Sequence, residues 1–188
     1  MTCDIFQTVK NLDNVDKLEQ QGPIFCKSNS AWLGHGYYFW DSEIELAHWW
    51  GEVHCLNYGY DYLILKSSYE KWSELLFDLY DNALHRKDMV SAYNITKEHT
   101  GKQRITVPYL LEILKKTKNF RYQAIRAKFD NSVNAGDLFE FRPFANDTSN
   151  SKLDLFPAIQ ICVLDKRFLA SPVKVVYPNE YNQESYTF

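Results

Sequence analysis

The 188-residue chain lacks the catalytic cassettes that announce themselves in a sequence. It has no Gly-x-Ser-x-Gly elbow and no phosphate-cradling Gly-x4-Gly-Lys-Ser/Thr loop, so serine-hydrolase and P-loop NTPase readings lose their motifs. Seven glycines and six prolines are too few for a low-complexity or disordered tract to be a major feature. The cysteines, Cys3, Cys26, Cys55 and Cys162, are scattered without the close pairs of a zinc ribbon or a thioredoxin site, and read as reduced thiols. His48, His54 and Cys55 with Cys26 make one partial ligand set where a structural zinc site shows two close pairs, so no metal is expected. Nowhere do eighteen apolar residues run together, and MTCDIFQTVK lacks the apolar stretch of a signal peptide. The expectation is a cytoplasmic chain with no membrane partner, although an effector exported by a dedicated machine shows no such signal either. Neither charge dominates: 21 Lys and Arg stand against 24 Asp and Glu, for a net charge of -3. That balance argues against general affinity for phosphate backbones and leaves room for a local basic groove.

What is present is apolar and aromatic. Hydrophobic residues make up 45% and aromatics 16% of a chain whose length predicts one domain over residues 1–188. Ile5 to Thr8 reads as a strand, followed by a helix with Asp13 as cap, Val15 and Leu18 inward and Gly22-Pro23 at its end. Ile24 to Cys26 reads as a short strand and Lys27 to Ser30 as a loop. Tyr60 to Lys66 is a strand by composition, and Ser67 with Glu70 predicts a capping box for a helix carrying Trp72, Leu75, Leu76 and Leu79. The pattern weakens from Asn82 to Gln103, with a loop expected over Lys97 to Gln103. Thr106 predicts a cap for a helix through Lys116, with Pro108 in its first turn and Leu110, Leu111 and Leu114 as its buried stripe. Phe120 to Phe129, Leu138 to Phe144, Ile159 to Leu164 and Val173 to Tyr177 read as strands, with a polar turn over Asn146 to Ser151. Strands at both ends with helices inserted between them predict an α+β chain rather than a regular βαβ alternation.

One segment carries most of the functional signal, Trp32 to Gly51, WLGHGYYFWDSEIELAHWWG. Gly34 and Gly36 let backbone approach a ligand closely, and Tyr37, Tyr38, Phe39 and Trp40 supply flat amphipathic surface. Ser42 and Glu45 then predict a capped helix ending at Gly51, with Leu46, Trp49 and Trp50 on one face. Clustered aromatics also build cores; the glycines before Tyr38 and the helical spacing after it favour a ligand pocket. A Rossmann site lacks its third glycine.

The order G-x-G-x-Y-F, then a polar turn, then a helix with a small residue nine positions past the tyrosine and an aromatic two later, resembles the ADP-ribosyltransferase superfamily in its diphtheria-toxin and poly(ADP-ribose) polymerase branch. The resemblance is specific over about twenty residues. It implies two small, mostly antiparallel sheets around an NAD cleft with helices packed outside, and NAD as substrate. It makes Tyr38 the tyrosine of the family's His-Tyr-Glu triad, stacking on nicotinamide, with Trp49 on the ring's other face, Ala47 at the small helix position and Gly34, His35, Gly36, Tyr37 and Phe39 around the pocket.

The triad's other two positions depart from the family. Phe6, Gln7 and Thr8 fall where its Y-H-G-T would lie, so Gln7 replaces the histidine and offers one donor and one acceptor group to a ribose or an amide; an ordinary polar strand residue is the other reading. Gln160, in FPAIQICVLDKRFL, stands where the catalytic glutamate is sought. A neutral amide there forgoes stabilisation of an oxocarbenium-like transition state worth roughly 3 to 4 kcal/mol, about a hundred- to a thousandfold in rate. Glu140, Asp154 and Asp165 are candidates to replace the carboxylate. The resemblance therefore implies transfer of ADP-ribose from NAD to a protein or nucleic-acid acceptor, or NAD hydrolysis, in a bacterial toxin or phage-defence effector with an antitoxin or immunity partner. A catalytically inactive relative that binds NAD or a protein partner is the alternative, and a plain interaction module a third reading.

Overall fold

The computed structural model describes residues 1–129 and 156–181. Its first strand, β1 (Thr2–Lys10), is longer than its apolar centre suggests, because it pairs along its whole length with β3 (Tyr62–Glu70), from Thr2 opposite Glu70 to Lys10 opposite Tyr62. This pairing overrides the capping box expected at Ser67 and Glu70. The Ser67 hydroxyl donates to the Ser171 carbonyl at 2.7 Å, and the Glu70 carboxylate accepts the Thr2 hydroxyl at 2.8 Å. No helix carries Trp72 to Leu79; a turn leads into β4 (Leu76–Asp78).

The remaining elements in chain order are α1 (Val15–Gln21), β2 (Tyr37–Asp41), α2 (Ile44–His54), α3 (Ala83–Thr100), α4 (Val107–Lys115), β5 (Ala124–Lys128), β6 (Ile159–Val163) and β7 (Lys174–Tyr177). The fold is α+β, with one seven-stranded sheet in the order β4-β5-β6-β2-β1-β3-β7 rather than two small sheets. Every neighbouring pair is antiparallel except β4 and β5. Several readings of the helices need correction. α3 takes in Lys97 to Thr100 of the expected loop and leaves 101–103 outside any helix, because the Asn82 side chain accepts the Leu84 and His85 amides and Gly101, at φ +62°, ends the helix. Ser42 is no N-cap: its φ is +67° and its hydroxyl donates to the Asp41 carboxylate, leaving Glu43 at the cap position. Gly51 lies inside α2, where a Cβ would stand 2.5 Å from the Tyr62 ring. Thr106 does cap α4, accepting the Tyr109 amide. Asn14, not Asp13, occupies the cap position of α1, and Ile24 to Cys26 contributes one bridge, Cys26 to Gly36. The strand expected at Leu138 to Phe144, the turn at Asn146 to Ser151, and Glu140 and Asp154 lie outside the described residues.

Strand alternation gives the sheet two apolar faces. One gathers Ile5, Phe39, Tyr69, Ile161, Val163 and Phe168, continued under α1 by Val9, Leu18, Leu63 and Leu65. The other carries Phe6 and Trp40 under α2, and Leu33, Ile125 and Cys162 under α4. A polar cluster interrupts the first face: the Arg126 guanidinium, 3% exposed, donates to Asp41 at 2.7 Å, to Asp78 at 3.1 Å and to Asp81 at 2.7 Å. Among the described residues no helix is long and apolar enough to cross a membrane.

Candidate functional site

The sheet has a gap at its centre. β1 and β2 pair at Ile5 with Asp41 and at Phe6 with Trp40, and the register stops there. Beyond it the strands part, so Gln7 to Lys10 and Tyr38 to Trp40 become opposite walls of a cavity of about 720 Å³. Side chains of both sheet faces border the gap. Leu18 and Ile24 line it on one side, and Trp32, Trp50, Phe129 and Gln160 on the other.

Of the three triad positions named from the sequence, Gln7, Tyr38 and Gln160, all line this cavity. Their polar groups are largely engaged by the protein. The Gln7 amide donates to the Ile24 carbonyl at 3.0 Å and the Tyr38 carbonyl at 3.1 Å, and its oxygen accepts the Ile24 amide at 2.7 Å. It thus pins the 24–26 segment across the gap where a ladder hydrogen bond would otherwise run. The Tyr38 hydroxyl accepts the Leu33 amide at 2.9 Å and donates to the Gly34 carbonyl at 2.7 Å. Burial, aided by the neighbouring Cys162, pushes its phenol well above the ordinary range, so the ring stays neutral and its hydroxyl acts as a strut for the 31–36 loop. Gln160 sits opposite Trp40 on β2, and its Oε1 accepts the Trp32 indole N–H at 2.7 Å. No other hydrogen bond of its amide is found among the described residues.

The other expected positions divide. Thr8 and Phe39 line the cavity, with the Thr8 hydroxyl donating to the Ala47 carbonyl at 2.6 Å. Ala47 itself is a buried residue of α2 and serves as the seat of that bond. Gly36 makes room for the protein's own β6, since a Cβ there would collide with the Cys162 sulfur and stand 2.9 Å from the Val163 carbonyl. Gly34 needs its φ of +83° for the loop that Tyr38 holds. His35 is exposed and outside the lining, and Tyr37 points to the opposite face, edge-on to Phe25 with ring centres 5.0 Å apart. Trp49 packs edge-on against Trp40 behind the cavity wall. Asp165 is occupied by Arg167 and does not border the cavity.

Sequence reasoning offered Trp40 as ligand-facing surface and missed Trp32, Trp50 and Phe129, which complete an aromatic wall. Trp40 has Trp50 at 5.9 Å and Phe129 at 5.7 Å between ring centres, and Trp32 lies 5.8 Å from Phe129. All four rings line the cavity. Helical spacing does not single out Trp50, because Trp49 and Trp50 follow Leu46 by three and by four and so share its face. Lys10 is the single charged side chain among the described lining residues. At about 3.3 Å per residue it lies roughly 13 Å along β1 from the Phe6–Trp40 pair. Its ammonium rests over the Tyr60 ring, 3.6 Å from the centre.

The arrangement can therefore seat a flat ring against aromatic faces at one end and an anion near Lys10 at the other. Among the described residues no group of His, Cys, Asp and Glu is placed to hold a metal. Comparison with protein-family models, with curated proteins and with solved structures yields no match to this chain.

Proposed function

We propose that the gap between β1 and β2 binds NAD and that the chain is an ADP-ribosyltransferase-like protein, moving ADP-ribose to a macromolecular acceptor or to water. One observation carries the reading: Gln7, Tyr38 and Gln160, chosen on three separate strands by the resemblance, line a single cavity. Its volume falls in the range of small-molecule sites, its rings suit a pyridinium cation, and Lys10 can meet a phosphate. Transfer breaks the bond between ribose C1′ and the nicotinamide nitrogen. The bonding pair leaves with nicotinamide, the acceptor's lone pair forms the new bond at C1′, and its proton passes to solvent. What the chain contributes is alignment between the Tyr38 to Trp40 wall and β1. A toxin or phage-defence role with an immunity partner is the corollary of the same resemblance.

A second reading, NAD binding without turnover, has its own support: Gln160 is neutral, and none of the described lining residues is Asp or Glu. Labelled NAD in cell extract separates the two. Nicotinamide release or label transfer that Tyr38→Ala abolishes supports catalysis. A raised melting temperature with NAD and no turnover selects binding alone. No effect of millimolar NAD on either overturns both and leaves an interaction module.

A further inference from the structure

Basic side chains crowd one stretch of a chain that is acidic overall. Residues 97–121 hold seven Lys and Arg against two Glu, whereas the full chain has 21 against 24. The fold makes this stretch one surface, running from the end of α3 through the 101–106 connection and along α4, with which α3 packs. Lys97, Lys102, Arg104, Lys116, Lys118 and Arg121 are all exposed on it. Lys115 and Arg121 have acidic partners, Glu112 at 3.3 Å and Glu74 at 3.8 Å. Lys102 instead lies 4.1 Å from the centre of the Tyr109 ring, itself 37% exposed. For Arg104, Lys116 and Lys118 no ion pair is found among the described residues.

This surface adjoins the cleft. Lys115 Nζ stands 3.0 Å, and Glu112 Oε1 3.5 Å, from where a Cβ on Gly34 would lie. Gly34 belongs to the loop that brings Trp32 and Ala31 to the cavity wall.

We propose that α4 and the end of α3 form a docking surface for single-stranded nucleic acid; as the acceptor's platform, it rests on the NAD reading above. Two features favour a nucleic-acid strand over an acidic protein. The cations flank both ends of a nine-residue helix, about 13 Å long, a separation that regularly spaced phosphates can follow. Beside them the exposed Tyr109 ring lies under the Lys102 ammonium, which can swing onto a phosphate and leave the ring face to a base, the pairing of cation and stacking platform that holds a strand. The net charge of the whole chain hides this patch, because the excess of acid lies elsewhere.

Fluorescence anisotropy of a labelled single-stranded oligonucleotide, as RNA and as DNA, against the full chain provides the test. Binding is expected at low salt and should weaken about 20- to 100-fold between about 50 and 200 mM salt if three to five phosphates are neutralised. The triple variant Arg104→Glu, Lys116→Glu, Lys118→Glu should bind at least about tenfold more weakly, with its melting temperature and its response to NAD unchanged. Tyr109→Ala should cost a further several-fold through lost stacking. Lys17→Glu, exposed on α1, should change nothing. No binding at low salt, equal binding by the triple variant, or preference for polyglutamate over both oligonucleotides overturns the proposal. Oligonucleotide binding without any NAD response supports the surface while removing the NAD reading, so the two failures are told apart.

Discussion

Gln160 on β6 and Trp32 in the loop before β2 are joined by a 2.7 Å hydrogen bond, from the indole N–H to the amide oxygen, across 128 residues of sequence. The bond holds an uncharged group where the resemblance seeks a carboxylate, and a glutamate could accept the same N–H without moving. Gln160→Glu is therefore expected to keep the fold and to raise nicotinamide release from NAD by about a hundred- to a thousandfold over the starting chain. Release assays on the two proteins decide it, and an unchanged rate would show that the neutral amide is not what limits turnover. Gln160→Leu leaves the Trp32 N–H without its acceptor and should cost about 1–3 kcal/mol of stability.

The aromatic wall gives a prediction that separates the structure from the sequence. Trp50 borders the cavity, whereas Trp49 stands behind Trp40. Trp50→Leu should weaken NAD binding about 5- to 30-fold, the scale of a desolvated cation–π contact of 1–2 kcal/mol, and Trp49→Leu should change it far less. NADH carries no pyridinium charge and should bind less tightly than NAD to the unmodified chain but about equally to Trp50→Leu. Titration calorimetry with both dinucleotides reads this directly. Equal losses from the two tryptophan variants would return the contact to Trp49.

Tyr38→Phe keeps the ring in the cavity wall and removes the hydroxyl that bridges the Leu33 amide and the Gly34 carbonyl. The loop amide and carbonyl then lose a partner each, for an expected cost of about 1–3 kcal/mol. NAD binding should fall modestly, since the ring remains, while Tyr38→Ala should abolish it. Melting curves taken with and without NAD distinguish loss of the strut from loss of the ring.

How much of this was legible in the residues varies with the range of the forces. α4 could be read because Thr106, Pro108 and the Leu110-Leu111-Leu114 stripe act within a few turns of one another. α3 could not, because it buries little along its length and is set by an Asn82 cap and a Gly101 stop. The Ser67 to Glu70 box misled because a nine-residue ladder with β1, invisible to local pattern, outweighs a helix cap. At the site, the resemblance named Gln7, Tyr38 and Gln160, and all three border one cavity. Their engagement by Ile24, Leu33, Gly34 and Trp32 depends on loops that only the fold brings close. The role of Gly36 reversed for the same reason: the close approach it permits is that of β6.

Arg126 predicts a loss confined to stability. Its guanidinium is 3% exposed and joins β5 to Asp41 on β2 and Asp78 on β4, with the Tyr69 hydroxyl also donating to Asp41 at 3.2 Å. Arg126→Met strands two buried carboxylates and should cost about 3–5 kcal/mol, lowering the melting temperature by roughly 10 °C in a chain of this size. A melt with a shift under about 2 °C would show that the carboxylates find other partners.

Alkali should loosen the fold through the group that faces Tyr38. Burial pushes the Cys162 thiol from 9.0 up to about 12, so the folded chain holds the proton that the unfolded chain has released. For a raised pKa the stabilisation is complete below the unfolded value and disappears as pH rises through the folded one. The window is therefore about pH 9 to 12, and the Tyr38 and Tyr69 phenols, both raised by burial, add losses of the same sign from about pH 10 upward. Melting temperatures recorded from about pH 8 to pH 11 should fall steadily above pH 9. In Cys162→Ala the decline above about pH 9 should be shallower, because that thiol's share has been removed while the Cys3 and Cys55 thiols, also raised by burial, keep theirs. An equally steep decline in both proteins would mean that Cys162 ionises in the folded state as readily as in the unfolded one, and that the packing of β6 against Gly36 and Tyr38 is looser than the geometry requires.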